Sequence, residues 1–118
     1  MENDTIIADL YATGVAAKFS EEGNLRWHKD FQGNGVYANA VDTDPLGNVY
    51  LTFRYVQYME IGSDSIRADS NFAQMGNALI KMDPSGNILW YKNFYTGLGD
   101  ITYMECDEQG NVYFANYG

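Results

Sequence analysis

Eight short segments of the chain are rich in apolar, aromatic and β-branched residues, and they are separated by residues that favour turns. Successive side chains of a β-strand point to opposite faces, and short strands at such spacing are typical of barrels, sandwiches and propellers. The pattern therefore predicts an all-β fold. The predicted strands are Val15–Phe19, Leu25–Phe31, Val36–Thr43, Val49–Tyr55, Ala78–Met82, Ile88–Phe94, Ile101–Cys106 and Val112–Tyr117.

The predicted strands differ in the number of faces that are apolar. In Leu25–Phe31 and in Ile88–Phe94 one face carries the large apolar side chains. In Val49–Tyr55 both faces are apolar or aromatic, which is typical of a strand that is covered on both sides. Sheets that stack on one another, as in a propeller, require such strands. The one-sided faces consist of Leu25, Trp27 and Phe31 in the earlier strand and of Ile88, Trp90 and Phe94 in the later one.

A constant shift along the chain superimposes residues 14–55 on residues 77–118 without a gap, and eleven of the 42 aligned positions are identical. We call this displacement the repeat shift. A fixed period of this kind indicates one structural unit that is used twice. We therefore treat 1–118 as a single module, with a first repeat of about 14–76 and a second of about 77–118 that residues 1–13 complete as a permuted remainder. The identical pairs are Lys18/Lys81, Gly23/Gly86, Asn24/Asn87, Trp27/Trp90, Lys29/Lys92, Phe31/Phe94, Asp44/Asp107, Gly47/Gly110, Asn48/Asn111, Val49/Val112 and Tyr50/Tyr113.

Each repeat contains two sequences that favour tight turns between antiparallel strands. All of them contain Gly-Asn, and glycine accepts the left-handed conformation that follows a type I turn. The pattern predicts a hairpin at each of these turns. The four sequences are Phe19–Leu25, Asp44–Val49, Met82–Ile88 and Asp107–Val112.

Residues 56–76 interrupt this arrangement, and we expect them to be an insertion that includes a small extra hairpin. A helix over Asp69–Met82 is the alternative, because apolar residues recur there almost at helical spacing. Gly76 and the match of residues 77–82 to the first repeat argue against the helix.

The order of these motifs resembles a known class of repeat. The sequence Asp-x-x-Gly-Asn-Val-Tyr, then a variable insertion, then Ala-Leu-Ile-Lys-Met-Asp-Pro-Ser-Gly-Asn-Ile-Leu-Trp, resembles the β-propeller repeats of bacterial secreted and surface proteins. The Gly-Asn-x-x-Trp portion is also similar to the tryptophan-containing repeat of quinoprotein propellers. The resemblance covers nearly the whole chain and implies a β-propeller with a secreted or cell-surface location. It leaves the function open, because propellers host unrelated activities.

The resemblance implies about two blades per chain, of which one four-stranded blade is complete. Residues 1–31 then hold the outer half of a preceding blade, and residues 100–118 hold the inner half of a following one. Half-blades leave unpaired strand edges, which promote aggregation unless another strand covers them. The strands of the complete blade, from the inner to the outer one, are Val36–Thr43, Val49–Tyr55, Asn77–Asp83 and Asn87–Phe94.

Two arrangements would complete the half-blades. In the first, strands 101–117 of one copy pair with strands 15–31 of another, so that a ring of three copies has six blades and a ring of four has eight. In the second, the missing blades belong to a longer parent protein. Both arrangements remain open from the sequence.

The charge of the chain restricts its partners. Sixteen acidic residues against seven Lys and Arg give a net charge of −9, and this field repels nucleic acid and anionic lipid surfaces. No apolar run approaches the length that spans a membrane. We therefore expect no nucleic-acid partner and no membrane insertion, and the N-terminal Met1–Asp4 does not look like a signal peptide.

Catalytic signals are weak in this chain. His28 is the only histidine and Cys106 the only cysteine, which excludes the usual zinc sites within one chain. The repeat counterpart of His28 is Tyr91, so the fold does not require an imidazole there. We expect Cys106 to fill space between packed sheets, because free cysteines are usually buried. The sequence also lacks the motifs of serine hydrolases, zinc proteases and phosphate-binding loops. The chain is predicted not to be an enzyme.

Two sets of residues are candidates for binding. Asp42, Asp44, Glu105 and Asp107 are alternate carboxylates beside the turns, and such oxygens are calcium ligands. The same residues also suit plain turns, where aspartate accepts backbone hydrogen bonds. We therefore expect no cofactor, with calcium as the one possibility.

The second set is aromatic. Trp27, Trp90, Tyr91 and Tyr95 could form a surface on which sugars stack, although blade packing also explains the two tryptophans that recur in phase. The resulting hypothesis is a non-catalytic propeller module that serves as a binding or scaffold surface, with other copies of itself or the remaining blades as partners and with a protein or glycan ligand. A carbohydrate-binding repeat lectin and a fragment of a propeller enzyme are the alternatives.

Overall fold

The computed structural model describes residues 13–68, 75–94 and 101–116. These residues form ten strands in antiparallel sheets, so the predicted all-β fold is confirmed. The eight predicted strands lie close to their expected bounds, and the largest difference is in β7, which begins at Met75 instead of Ala78. The strands are β1 Gly14–Phe19, β2 Leu25–Phe31, β3 Tyr37–Thr43, β4 Val49–Val56, β5 Tyr58–Ile61, β6 Asp64–Arg67, β7 Met75–Met82, β8 Ile88–Phe94, β9 Ile101–Cys106 and β10 Val112–Asn116.

A four-stranded sheet in the order β3-β4-β7-β8 lies at the centre of the structure, and we call it the central sheet. The pair β1-β2 forms the N-terminal sheet and the pair β9-β10 forms the C-terminal sheet. The insertion between β4 and β7 contains the hairpin β5-β6, which confirms the predicted extra hairpin. The described residues contain no helix that is long and apolar enough to cross a membrane.

The alternative helix over Asp69–Met82 is wrong for the residues from Met75 onward. Met75–Met82 is the strand β7, which pairs with β4 on one side and with β8 on the other. Eight consecutive cross-strand pairs with β4, from Val56↔Met75 to Val49↔Met82, hold it in an extended conformation. Tertiary pairing thus overrides the helical spacing of its apolar residues, and the part of the segment before Met75 lies outside the described residues.

One face of the central sheet packs against the N-terminal sheet and the β5-β6 hairpin. Phe53 of β4 and Phe31 of β2 are fully buried there, and their ring centroids are 4.9 Å apart. The hairpin contributes apolar side chains to the same core. The other buried members of this core are Ala16, Val36, Val49, Leu51, Tyr55, Met59, Ile61, Ile66, Ala78, Ile80 and Met82.

The opposite face of the central sheet packs against the C-terminal sheet. Tyr50 and Leu79 of the central sheet form a second buried core with Met104 of β9. The rings of Phe94 and Phe114 meet edge to face at 5.5 Å on its border. The residues of β4 from Val49 through Phe53 are all buried, so the prediction that both faces of this strand are covered is confirmed.

One predicted face is wrong. Ile88, Trp90 and Phe94 were expected to share a face of β8, but Ile88 packs with the core under the N-terminal sheet, whereas Phe94 packs with the core under the C-terminal sheet. The register of β7 and β8 shifts between Lys81 and Met82, which pair with Trp90 and Ile88. This irregularity skips one residue of β8 and therefore reverses the facing of the residues on its two sides.

The cross-strand registers recur at the repeat shift. The six pairs of β1 with β2 recur as the six pairs of β7 with β8, with every position displaced by that same amount. The five pairs of β9 with β10 correspond in the same way to five pairs of β3 with β4. Even the register irregularities fall at equivalent positions in each comparison.

Phe53 tests the core between the N-terminal sheet and the central sheet. We expect Phe53→Ala to lower the free energy of unfolding by about 3–5 kcal/mol, because it removes a fully buried ring and leaves a cavity against Phe31. Leu46→Ala is the control, since Leu46 is 81% exposed in a turn and should change stability by less than about 0.5 kcal/mol. Urea denaturation followed by tryptophan fluorescence measures both, and equal effects would contradict the proposed core.

Candidate functional site

The turn between β3 and β4 is held by a single aspartate. The Oδ1 atom of Asp44 accepts hydrogen bonds from the backbone amides of Leu46 and Asn48, both at 3.0 Å. Its Oδ2 atom accepts from the side-chain amide of Asn48 and from the hydroxyl of Tyr50, also at 3.0 Å. Both carboxylate oxygens are therefore occupied by the turn, and Tyr50 ties the turn to the core beneath it.

The other tight turns repeat this arrangement. Asp83 and Asp107 accept hydrogen bonds from the amide two residues later and from the amide and side chain of the asparagine four residues later. Tyr113 donates to Asp107 at 2.9 Å, as Tyr50 does to its own aspartate. In the turn between β1 and β2 the hydroxyl of Ser20 takes the place of the carboxylate. The pairing of an aspartate with a tyrosine six residues later was visible in the sequence, but sequence reasoning did not connect the two.

These hydrogen bonds favour the ionised form of the carboxylates. Burial raises the pKa of Asp44, but the hydrogen bonds from Asn48, Tyr50 and the backbone outweigh it, and the pKa lies below its ordinary value. The pKa values of Asp83 and Asp107 are lowered by the backbone and side-chain amides of the asparagine four residues later. The observed chemistry of the three residues is thus that of hydrogen-bond acceptors in turns.

The predicted calcium ligands do not form one cluster. Asp44 and Asp107 are engaged in their separate turns, and Glu105 accepts a hydrogen bond from the Tyr103 hydroxyl. Asp42 accepts from the backbone amide of Cys106 at 2.7 Å, a contact that connects β3 with β9. Within the described part of the chain, no three His, Cys, Asp or Glu side chains are grouped so that they could hold a metal ion. Calcium binding stays a prediction.

The predicted aromatic surface is divided between two faces of the central sheet. Trp27 and Tyr91 pack against the core under the N-terminal sheet, and the Tyr91 hydroxyl donates to Asp64 at 3.0 Å. Trp90 lies on the opposite face, edge to face with Tyr50, and is 36% exposed. Tyr95 lies outside the described residues.

Trp27 makes a contact that sequence reasoning missed. Its indole Nε1 donates to the carbonyl oxygen of Pro84 at 3.0 Å, and Lys18 Nζ donates to the same oxygen at 3.1 Å. The ring lies on Gly86, where a Cβ atom would be 2.8 Å from Trp27 Cδ2 and the backbone φ is +89°. The N-terminal sheet is therefore attached to the β7-β8 turn of the central sheet through a position that requires glycine.

The single cysteine and the single histidine lie on different sheets, Cys106 on β9 and His28 on β2. Cys106 is partly buried against the core of the C-terminal sheet, and burial together with the charges of Asp42 and Asp44 raises its pKa to about 11. A thiol with such a pKa stays protonated near neutral pH and is a poor nucleophile. His28 is exposed on β2, with Nδ1 3.7 Å from Asp30 Oδ1.

An apolar groove lies beside β1, and we call it the β1 groove. Its volume is about 550 Å³, and most of its lining consists of valine, alanine and leucine side chains from β1, β3 and β4. Lys18 and Trp27 form part of its wall. Among the described residues, β1 pairs only with β2 and β10 pairs only with β9, so the groove adjoins a strand edge with no described partner.

No protein-family model, curated protein or solved structure matches the chain.

The turn aspartates predict a loss of stability in acid. Their folded-state pKa values are lowered, so their contribution to stability is present above the unfolded pKa of about 3.9 and is lost as the pH falls through the folded values. We expect the combined variant Asp44→Asn, Asp83→Asn and Asp107→Asn to show a smaller fall in the urea midpoint between pH 7 and pH 3 than the wild type.

Glu22→Gln is the matched control, because Glu22 is an exposed residue of the β1-β2 turn. This variant should keep the pH dependence of the wild type. If the triple variant kept the pH dependence of the wild type, the turn carboxylates would not be the source of the loss of stability in acid.

Proposed function

We propose that the chain is a repeat module of a β-propeller that acts as a non-catalytic binding or scaffold surface. The observation that carries the proposal is the central sheet, which is packed on both faces by sheets whose cross-strand registers recur at the repeat shift. In a propeller each blade is a four-stranded sheet that stacks face to face on its neighbours. The central sheet is one blade, and the flanking sheets are an outer and an inner half-blade.

The order of strands supports a radial arrangement. In the proposed propeller β3 and β9 are the innermost strands of adjacent blades, and the hydrogen bond from the Cys106 amide to Asp42 joins them. The Trp27 contact with the β7-β8 turn joins outer strands of adjacent blades. Adjacent sheets are thus in contact through their inner strands and through their outer strands, as is expected when blades repeat around one axis. The half-blades would be completed by other copies of the chain or by further blades of a longer parent.

The site chemistry supports a role without catalysis. The pKa of Cys106 is raised by burial and nearby carboxylates, and His28 lies on an exposed strand beside Asp30. Neither side chain is part of a nucleophile and base pair in the described residues, which is the arrangement that covalent catalysis needs. The acidic charge of −9 favours cationic or neutral partners for such a surface.

A carbohydrate-binding lectin is the second candidate, because Trp90 is 36% exposed and can offer a ring face to a sugar. A glycan array with the wild type tests it. We expect that no glycan signal is lost when only Trp90 is replaced. Loss of a glycan signal in Trp90→Ala, with the signal kept in Leu89→Ala, would favour the lectin, since Leu89 is an exposed neighbour on the same strand.

The propeller itself is tested by an experimental structure of the purified chain. We expect four-stranded blades around one axis, with β3 and β9 nearest to it. A closed sandwich in which the edges of β1 and β10 are capped within one chain would contradict the proposal.

A further inference from the structure

A row of side chains crosses the central sheet from its first strand to its last. In cross-strand register it consists of Asp42, Tyr50, Lys81 and Trp90. Lys81 Nζ lies 5.3 Å from the centroid of the Tyr50 ring, and the ring centroids of Tyr50 and Trp90 are 6.3 Å apart. The middle pair, Tyr50 with Lys81, joins the inner two strands of the sheet to the outer two by a cation–π contact.

The same row is present a second time, but in two halves at opposite ends of the chain. Glu105 pairs with Tyr113 in the C-terminal sheet, and Lys18 pairs with Trp27 in the N-terminal sheet. Three of the four residue types are identical to those of the central row, and the fourth is glutamate in place of aspartate. Tyr113 is 56% exposed, so the contact equivalent to the central tyrosine and lysine pair is not made within one chain.

The two halves cannot meet in one molecule. The N-terminal sheet covers one face of the central sheet, and the C-terminal sheet covers the other. Among the described residues the row is not completed, and a second copy of the chain can complete it in a head-to-tail contact that closes into a ring when the rotation permits.

We propose that the β1 groove and the edge of β1 bind the C-terminal sheet of a second copy of this chain. This inference rests on the proposed function and specifies its partner. The β4-β7 register, moved by the repeat shift, places Val112 opposite Phe19, Tyr113 opposite Lys18 and Ala115 opposite Ala16. Tyr113 then completes the row with Lys18 and Trp27, which already line the groove.

A further contact between the same two copies follows from Trp27. That residue lies on Gly86 of the next sheet, so its counterpart Trp90 in the copy that supplies the C-terminal sheet would lie on Gly23 of the copy that supplies β1. Gly23 has the same φ of +89°, and a Cβ atom placed there would meet nothing within 4 Å in its own chain. Trp90 is partly exposed on the face that would meet this turn. One bound copy thus pairs with the edge of β1, occupies the β1 groove and places its Trp90 on Gly23.

Disulfide trapping tests the register. Ala16→Cys with Ala115→Cys, in a Cys106→Ser background, should form chains linked end to end under mild oxidation, because directly opposite residues of antiparallel strands lie within disulfide reach. Ala17→Cys with Ala115→Cys is the matched control. A shift of one residue turns that cysteine to the other face, so we expect little or no cross-linking there.

Gly23 tests the tryptophan contact in a chain without added cysteines. Gly23→Ala should shift the native mass from a multiple of the chain to 13.3 kDa at a concentration where the wild type is assembled. Gly62→Ala is the control, because Gly62 also has a positive φ, of 62°, but lies in the β5-β6 hairpin. Its variant should stay assembled, and circular dichroism shows whether both variants remain folded.

The outcomes separate this inference from the proposed function. A 13.3 kDa species for the wild type at micromolar concentration, or equal cross-linking in both cysteine pairs, overturns binding of a second copy. A monomer that retains the stacked sheets would leave the propeller module standing with its partner strands on a longer parent. A monomer with a closed sandwich would overturn both.

Discussion

The fold depends on the covering of the central sheet on both faces. Strand β4 is buried along almost its whole length, so neither of its faces can be left to water. Burial of apolar surface contributes about 25 cal/mol per Å², and an uncovered face of four strands would lose that contribution and invite aggregation. The N-terminal and C-terminal sheets meet this need, one on each side.

The turns connect local chemistry to this stack. An aspartate that accepts two backbone amides closes the turn locally. A tyrosine six residues later then brings its hydroxyl from the sheet core to the same carboxylate. The sheets meet through turns as well, since Trp27 of one sheet lies on Gly86 of the next. Several of the candidate binding residues make structural contacts, among them Asp42, Asp44 and Trp27. The edge of β1 and the β1 groove have no partner among the described residues.

Binding by strand addition suits such surfaces. Backbone hydrogen bonds along an edge supply affinity, and side-chain pairs across the edge determine the register. In the proposed contact the register depends on a row of one acidic residue, one tyrosine, one lysine and one tryptophan that the central sheet already uses. The proposed contact between molecules thus repeats the side-chain pairs that each molecule already contains within its central sheet.

The sequence by itself determined the strands, the four tight turns and the repeat shift, because alternation and turn chemistry are local properties that each segment carries with it. It also indicated the extra hairpin and the two-sided burial of Val49–Tyr55. Only the tertiary structure decided that the strand predicted at Ala78–Met82 begins at Met75, because every residue from Met75 pairs with β4. It also decided that Ile88 and Phe94 face opposite cores, because a register shift is set by the partner strand. The contact of Trp27 with Gly86 joins residues from different repeats and depends on how whole sheets stack, so no local pattern could reveal it.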